Sequence, residues 1–167
     1  MIPEMLKAKT QLLFKQPFFA TLVFKLNFKE VSFIHTMDVD TITLRYNPDF
    51  VRSITVAETI GVLAHEALHC ALGHCMPERI GSRNKAKWNR VCDYAINPLV
   101  INAGLSLPEG ALIDPQFYDK TVEHIYDLLP DEPMDNEPDQ GGIGGIQIPT
   151  QEDGSPLSSG ELRQLEG

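Results

Sequence analysis

A mixed α+β fold is what this sequence predicts. Three observations carry the prediction. A long apolar stretch at 55–73 begins with a helix-capping pattern. Shorter stretches at 18–31 and 41–46 are rich in Phe, Val, Leu and Thr and partly alternate, as strands do. Two further segments, at 86–97 and 121–129, carry apolar residues on helical spacing. The strands should make a small twisted sheet packed on the long helix, with a second helix beside it.

Residues 3–16, PEMLKAKTQLLFKQ, predict a first helix, with Pro3 early and Met5, Leu6, Leu12 and Leu13 on helical spacing. FFATLVFKLNFKEV, 18–31, reads as a strand or a pair of strands, with a helical continuation at its start as the alternative. Asp38, Val39 and Asp40 read as a turn, and 41–46 as a strand. Thr55 followed by Glu58 is a capping box, so Thr55 should be the N-cap of the long helix. Ile60, Val62, Leu63, Ala64, Leu68, Ala71 and Leu72 cover most of its surface, which marks a buried helix, and Gly73 is its natural stop. A basic connection over 76–87 leads to the second helix, 86–97, which should end near Asn97 because Pro98 disfavours helix before it. GLSLPEG, 104–110, is loop, and 121–129 is a last short helix capped by Thr121.

After Leu129 the character changes. Residues 130–167 hold nine acids and one base, Arg163, many Pro and Gly, and no aromatic residue. They predict a disordered acidic tail or linker, with the folded domain at 1–129. The net charge of −9 therefore sits almost wholly in that tail. The near-neutral remainder gives no bulk reason to expect nucleic acid or a membrane surface as partner. Lysines interrupt every apolar run near the N-terminus, which argues against a signal peptide or a membrane span. Three cysteines, Cys70, Cys75 and Cys92, form no disulfide framework and fit a reducing compartment, the cytoplasm. Cys70 and Cys75 lack a second pair for a zinc site and read as small buried thiols.

The chemistry centres on HEALHCALGH, 65–74. Residues four apart on a helix lie about 40° apart around it and one turn along. His65 and His69 can therefore reach one zinc ion together. Glu66 in this His-Glu-x-x-His pattern serves as general base toward a water that the metal has acidified. The plainer alternative is a core helix whose histidines are satisfied by hydrogen bonds. Two residues compete as third ligand. His74 lies on the far face of a continuing helix and could ligate only if the chain breaks at Gly73 and swings back. Asp93 sits on the second helix with Asn89 and Asn97 one turn away on each side, as a ligand with supporting amides would. Asp93 is the favoured one. Tyr46, Tyr94 and Tyr126 are candidate donors to a developing oxyanion, although each is more simply a core tyrosine. The 41–46 strand could border a cleft that takes an extended peptide by strand addition. His35 and His124 receive no role, and Trp88 reads as a packing anchor.

YNPDFV, GVLAHEALHCALGH, WNRVCDYAIN, LPEGALID and VEHIYDLL together resemble one family. It is the metallopeptidase domain found N-terminal to a von Willebrand factor A-like domain in bacterial and phage proteins. The resemblance spans most of 1–129. It implies a zincin-like metallopeptidase fold, Zn2+ as cofactor, and His65, Glu66 and His69 in the roles given above. It also makes Asp93 and Asn97 site residues and His74 a further candidate ligand. A peptide or protein is the implied substrate. The von Willebrand factor A-like domain is missing, and the acidic Gly-rich stretch reads as the linker that would lead to it. This chain would then be a fragment or a short phage-type variant. Two other readings stand beside a zinc metallopeptidase: a zinc-dependent hydrolase acting on RNA, and a non-catalytic, zinc-stabilised binding or regulatory module.

Overall fold

The computed structural model describes residues 1–131 and 145–147. Within them, seven α-helices and a 3-10 turn surround a small mixed sheet, an α+β fold as the sequence predicts. Helix α1, Pro3–Lys15, buries Met5, Ala8 and Leu12 on one stripe. The chain then breaks at Gln16 and restarts with Pro17 at the first helical position, giving α2, Pro17–Val23. The start of 18–31 thus takes the helical alternative rather than the strand reading. Phe19, Ala20 and Val23 are buried at helical intervals, and that packing outweighs the β preference of Phe and Val. Only Asn27–Glu30 is extended, as β1.

The expected turn at Asp38, Val39 and Asp40 is also displaced. Met37–Val39 is a fully buried strand, β2. The reversal falls just after it, where Asp40 Oδ1 accepts from the backbone N–H groups of Ile42 and Thr43 and Thr41 takes a left-handed φ of 84°. Strand β3, Thr43–Tyr46, returns antiparallel to β2 and lies parallel to β1. Asn47 then caps a short helix, α3, Pro48–Ser53, which the sequence reading leaves unassigned. The sheet order is β1-β3-β2-β4, where β4 is Gly145–Ile146, parallel to β2. The expected tail lies largely outside the described residues. At 145–147, though, the chain is part of the fold: Ile146 is 1% exposed and belongs to the core.

Helix α4, Val56–Ala71, carries the predicted capping box at Thr55 and Glu58. It runs through the middle of the molecule, against α1, α2, α6 and β2. Gly61 lets it come so close to the 104–107 loop that an added Cβ would lie 1.7 Å from the Ser106 carbonyl oxygen. Its C-terminus closes with a Schellman motif. Gly73, at φ 70°, donates to the Cys70 carbonyl, and the next residue, His74, donates to the His69 carbonyl at 2.9 Å. The chain thus turns back over the last turn of α4.

A short helix, α5, Pro77–Ile80, precedes α6, Lys85–Asn102, which Asn84 caps. Helix α6 continues past Pro98, contrary to the expected end at Asn97. The proline removes one backbone donor, but Val100 beyond it is fully buried and the Asn97 side chain is held at both its ends, so packing carries the helix on. The first turn of α6 also grips the chain at two later points. Lys87 Nζ donates to the Leu129 carbonyl and to Asp131, and Lys85 Nζ donates to Gln147 Oε1. Helix α7, Val122–Leu128, starts at Thr121 as predicted and packs on α6. No helix among the described residues is long and apolar enough to cross a membrane.

A candidate metal centre

The four-residue spacing on α4 brings the rings of His65 and His69 together, with their Nε2 atoms 3.0 Å apart. From the buried face of α6, Asp93 presents Oδ1 at 3.1 Å from His65 Nε2 and 3.3 Å from His69 Nε2. All three side chains are buried. Burial and the neighbouring His65 push His69 down to about 4, so its ring is neutral near pH 7. Burial alone would raise the Asp93 carboxyl, but the facing His65 and His69 outweigh it and hold Asp93 below its ordinary value.

Hydrogen bonds behind the rings decide what the rings offer in front. The Asn97 amide nitrogen donates to the Leu112 carbonyl at 2.9 Å, which turns its Oδ1 toward His65 Nδ1 at 2.7 Å. An amide oxygen only accepts, so His65 Nδ1 carries a hydrogen and donates it to Asn97, and Nε2 is the ring nitrogen turned to the cluster. Behind His69 stands His74, with the two Nδ1 atoms 3.0 Å apart. Burial, with His69 and Arg79 close by, pushes His74 down to about 2, so its ring is neutral and can accept from His69. His69 then offers its Nε2 lone pair. Two imidazole nitrogens and a carboxylate oxygen converge within 3.3 Å of one another, a donor set that one cation would take up together. Among the described residues, this group could hold a metal ion.

Glu66 lies next to the cluster, fully buried. Neither of its carboxylate oxygens meets a hydrogen-bond partner within good geometry. Burial drives its pKa well up, the Asp38 and Asp93 carboxylates add to the rise, and the backbone N–H of Gly145 pulls weakly the other way. Asp38 belongs to β2 and is clamped by both nitrogens of the Arg45 fork. Neither Asp38 nor Gly145 was singled out by sequence reasoning. The 41–46 strand, expected to border a cleft, is the inner strand β3, between β1 and β2.

The chain does break at Gly73 and bring His74 back, but to the rear of His69, away from Asp93. There His69, His74 and Cys92 form a second group that could hold a metal ion. That group needs an ionised thiol, and burial, with Asp93 nearby, pushes the Cys92 thiol well up. The first group offers imidazoles and a carboxylate held below its ordinary value, and needs no thiol ionisation. Trp88 anchors this side: its Nε1 donates to the His74 carbonyl at 2.9 Å. A surface cleft of about 460 Å³, walled by His74, Arg79, Leu99, Tyr118 and Glu123, also opens here, and Glu66 and Asp93 are not in its lining.

The remaining candidates lie elsewhere. Tyr46 donates to Glu30 at the far side of the sheet, and burial with that bond pushes its hydroxyl up to about 12. Tyr126 accepts from the Asn84 backbone, and Tyr94 stacks edge-on against Phe117. The Asn89 Oδ1 is buried without a partner, and only Asn97 of the two flanking amides reaches a histidine. His35 and His124 are exposed.

Buried imidazoles backed by hydrogen bonds and facing a carboxylate make the kind of donor set that metal-binding proteins present. The family comparison agrees. The model of a family described as "Putative metallopeptidase domain" matches residues 3–164, and the chain belongs to that family. No curated protein and no solved structure matches it.

Proposed function

We propose that this chain is a zinc-dependent metallopeptidase domain of zincin type. The observation that carries the reading is the convergence of His65 Nε2, His69 Nε2 and Asp93 Oδ1 beside a buried, unpartnered Glu66. A tetrahedral zinc with ligands at about 2.0–2.1 Å sets neighbouring donors about 3.3 Å apart, and the donor spacings of 3.0, 3.1 and 3.3 Å support that ion. We assign His65, His69 and Asp93 as its ligands, and His74 as the support of His69 rather than a ligand. Zinc, when bound there, supplies a Lewis acid that acidifies water and polarises a carbonyl.

The protein's own groups do the rest. Asn97 and His74 hold the two rings in the tautomers that leave Nε2 free. Glu66 takes the proton from a water beside it as that water attacks the peptide carbonyl, then delivers it to the leaving amine. A carboxylate whose pKa is raised by burial is a stronger base than a solvated one, which suits this task. The substrate is a peptide in extended form.

The test is metal content followed by turnover. The folded protein should hold about one zinc per chain, and His69→Ala should lose it. Glu66→Gln should keep zinc and fold while cleavage of a casein substrate falls about 100-fold or more. A folded wild type that takes up no zinc from solution would sink the assignment. Zinc binding with no turnover of any peptide by the wild type would favour the binding module instead.

A further inference from the structure

We propose that residues 145–147 are a built-in occupant of the edge along which a peptide substrate would lie, and that they keep the centre shut until they leave. The proposal rests on the peptidase reading for its consequence, but not for its geometry. Strand β2 would be the edge of the sheet without them. It runs beside α4, the helix that carries His65, Glu66 and His69. The segment engages that edge as an added peptide strand does, by backbone pairing together with specific seats for its side chains. Gly145 and Ile146 pair with Asp38 and Val39, and the Gln147 N–H donates to the Val39 carbonyl at 2.8 Å. Ile146 fills an apolar seat and is 1% exposed. The Gln147 side chain accepts from Lys85 Nζ at 2.7 Å and donates to Asp38 Oδ2 at 3.2 Å.

Two features of the seat make it a stop rather than a substrate pose. The Gln147 side chain is held by contacts that lie outside the cluster, at Lys85 and Asp38. With it in place, His65, Glu66 and His69 are all wholly inaccessible to water.

The geometry also supplies a lock. A Cβ built on Gly145 would sit 3.6 Å from the Asp38 Cβ, within the range a disulfide spans. The full chain carrying Asp38→Cys and Gly145→Cys should therefore close reversibly on oxidation. The probe is a fluorescein-labelled peptide of sequence GGIQIP, read by anisotropy, with zinc transfer to a chelator and casein cleavage measured on the same samples. Oxidation should weaken peptide binding at least about tenfold and slow zinc transfer by a similar factor, and reductant should reverse both. In the otherwise unaltered chain, Gln147→Ala removes two side-chain hydrogen bonds and should strengthen peptide binding about threefold to tenfold. Equal peptide binding in the oxidised and reduced forms would overturn the proposal. Should the double variant fail to fold, Gln147→Ala decides, and binding unchanged from wild type would overturn it. Redox-dependent peptide binding without cleavage in either form would leave the occupant standing and remove the peptidase. Cleavage indifferent to oxidation would do the reverse.

Discussion

The candidate centre is bounded by two unlike regions. One is the crossing of α4 and α6, where His65, His69, Asp93 and Asn97 project from long helices packed on one another. The other is the pairing of β2 with β4, where three residues complete the sheet along the strand beside α4. On the helical side each ring nitrogen is fixed by a side chain that is itself fixed: Asn97 by the Leu112 carbonyl, and His74 by the Schellman turn at Gly73 and the Trp88 bond. On the strand side the hold is short and made of separable contacts. The difference assigns two tasks. The helices set what the centre can bind, and the short strand sets when it can be reached.

Changes on the two sides should therefore separate by readout. The largest effect belongs to Asp93→Ala or His69→Ala. Either should abolish zinc retention, seen as metal content after gel filtration. Next come the supports. Asn97→Ala and His74→Ala should each weaken zinc about 10- to 100-fold in a competition titration while leaving stoichiometry unchanged. Complete loss of metal in His74→Ala would move His74 from support to ligand. Gly61→Ala should follow, because its new methyl meets the Ser106 carbonyl. It should cost at least about 1–3 kcal/mol of global stability in urea melts, with zinc affinity changed only through folding. The smallest global effect should come from the strand side. Ile146→Ala loses buried apolar contact, but the segment can detach alone, so the urea midpoint should barely move. Hydrogen exchange at the Gln147 amide should accelerate instead. A full core-type loss of about 2–5 kcal/mol for Ile146→Ala would erase the distinction between the two regions.

Much of the helical region was legible in the chain itself. The capping box, the apolar surface of α4, the stop at Gly73, the cap at Thr121 and the shared face of Asp93 and Asn97 are all local signals, and tertiary contacts reinforce them. The sheet was read less well. Phe18, Phe19 and Val23 look like strand residues, yet Pro17 starts a helix that buries Phe19 and Val23. Asp38 and Asp40 look alike in a turn. Only the structure shows that one is clamped by Arg45 on a buried strand while the other makes the turn. Pro98 signals a helix end that the buried Val100 overrides. The position of His74 depends on a six-residue backbone motif, which spacing on an ideal helix cannot anticipate. The seat of 145–147 was invisible because its partners come from β2 and α6, more than fifty residues away in sequence. Composition alone marked the stretch as a linker.

The two lysines at the start of α6 have a practical consequence. Lys87 holds Leu129 and Asp131, and Lys85 holds Gln147, so the intervening chain leaves from and returns to a single turn of one helix. Closing a segment between fixed points depends only weakly on its length, about 0.6 kcal/mol per doubling. A reporter sequence or an affinity tag inserted between 132 and 144 should therefore leave Asp93, two turns further along the same helix, where it is. A sensor grafted there would report when 145–147 leave β2.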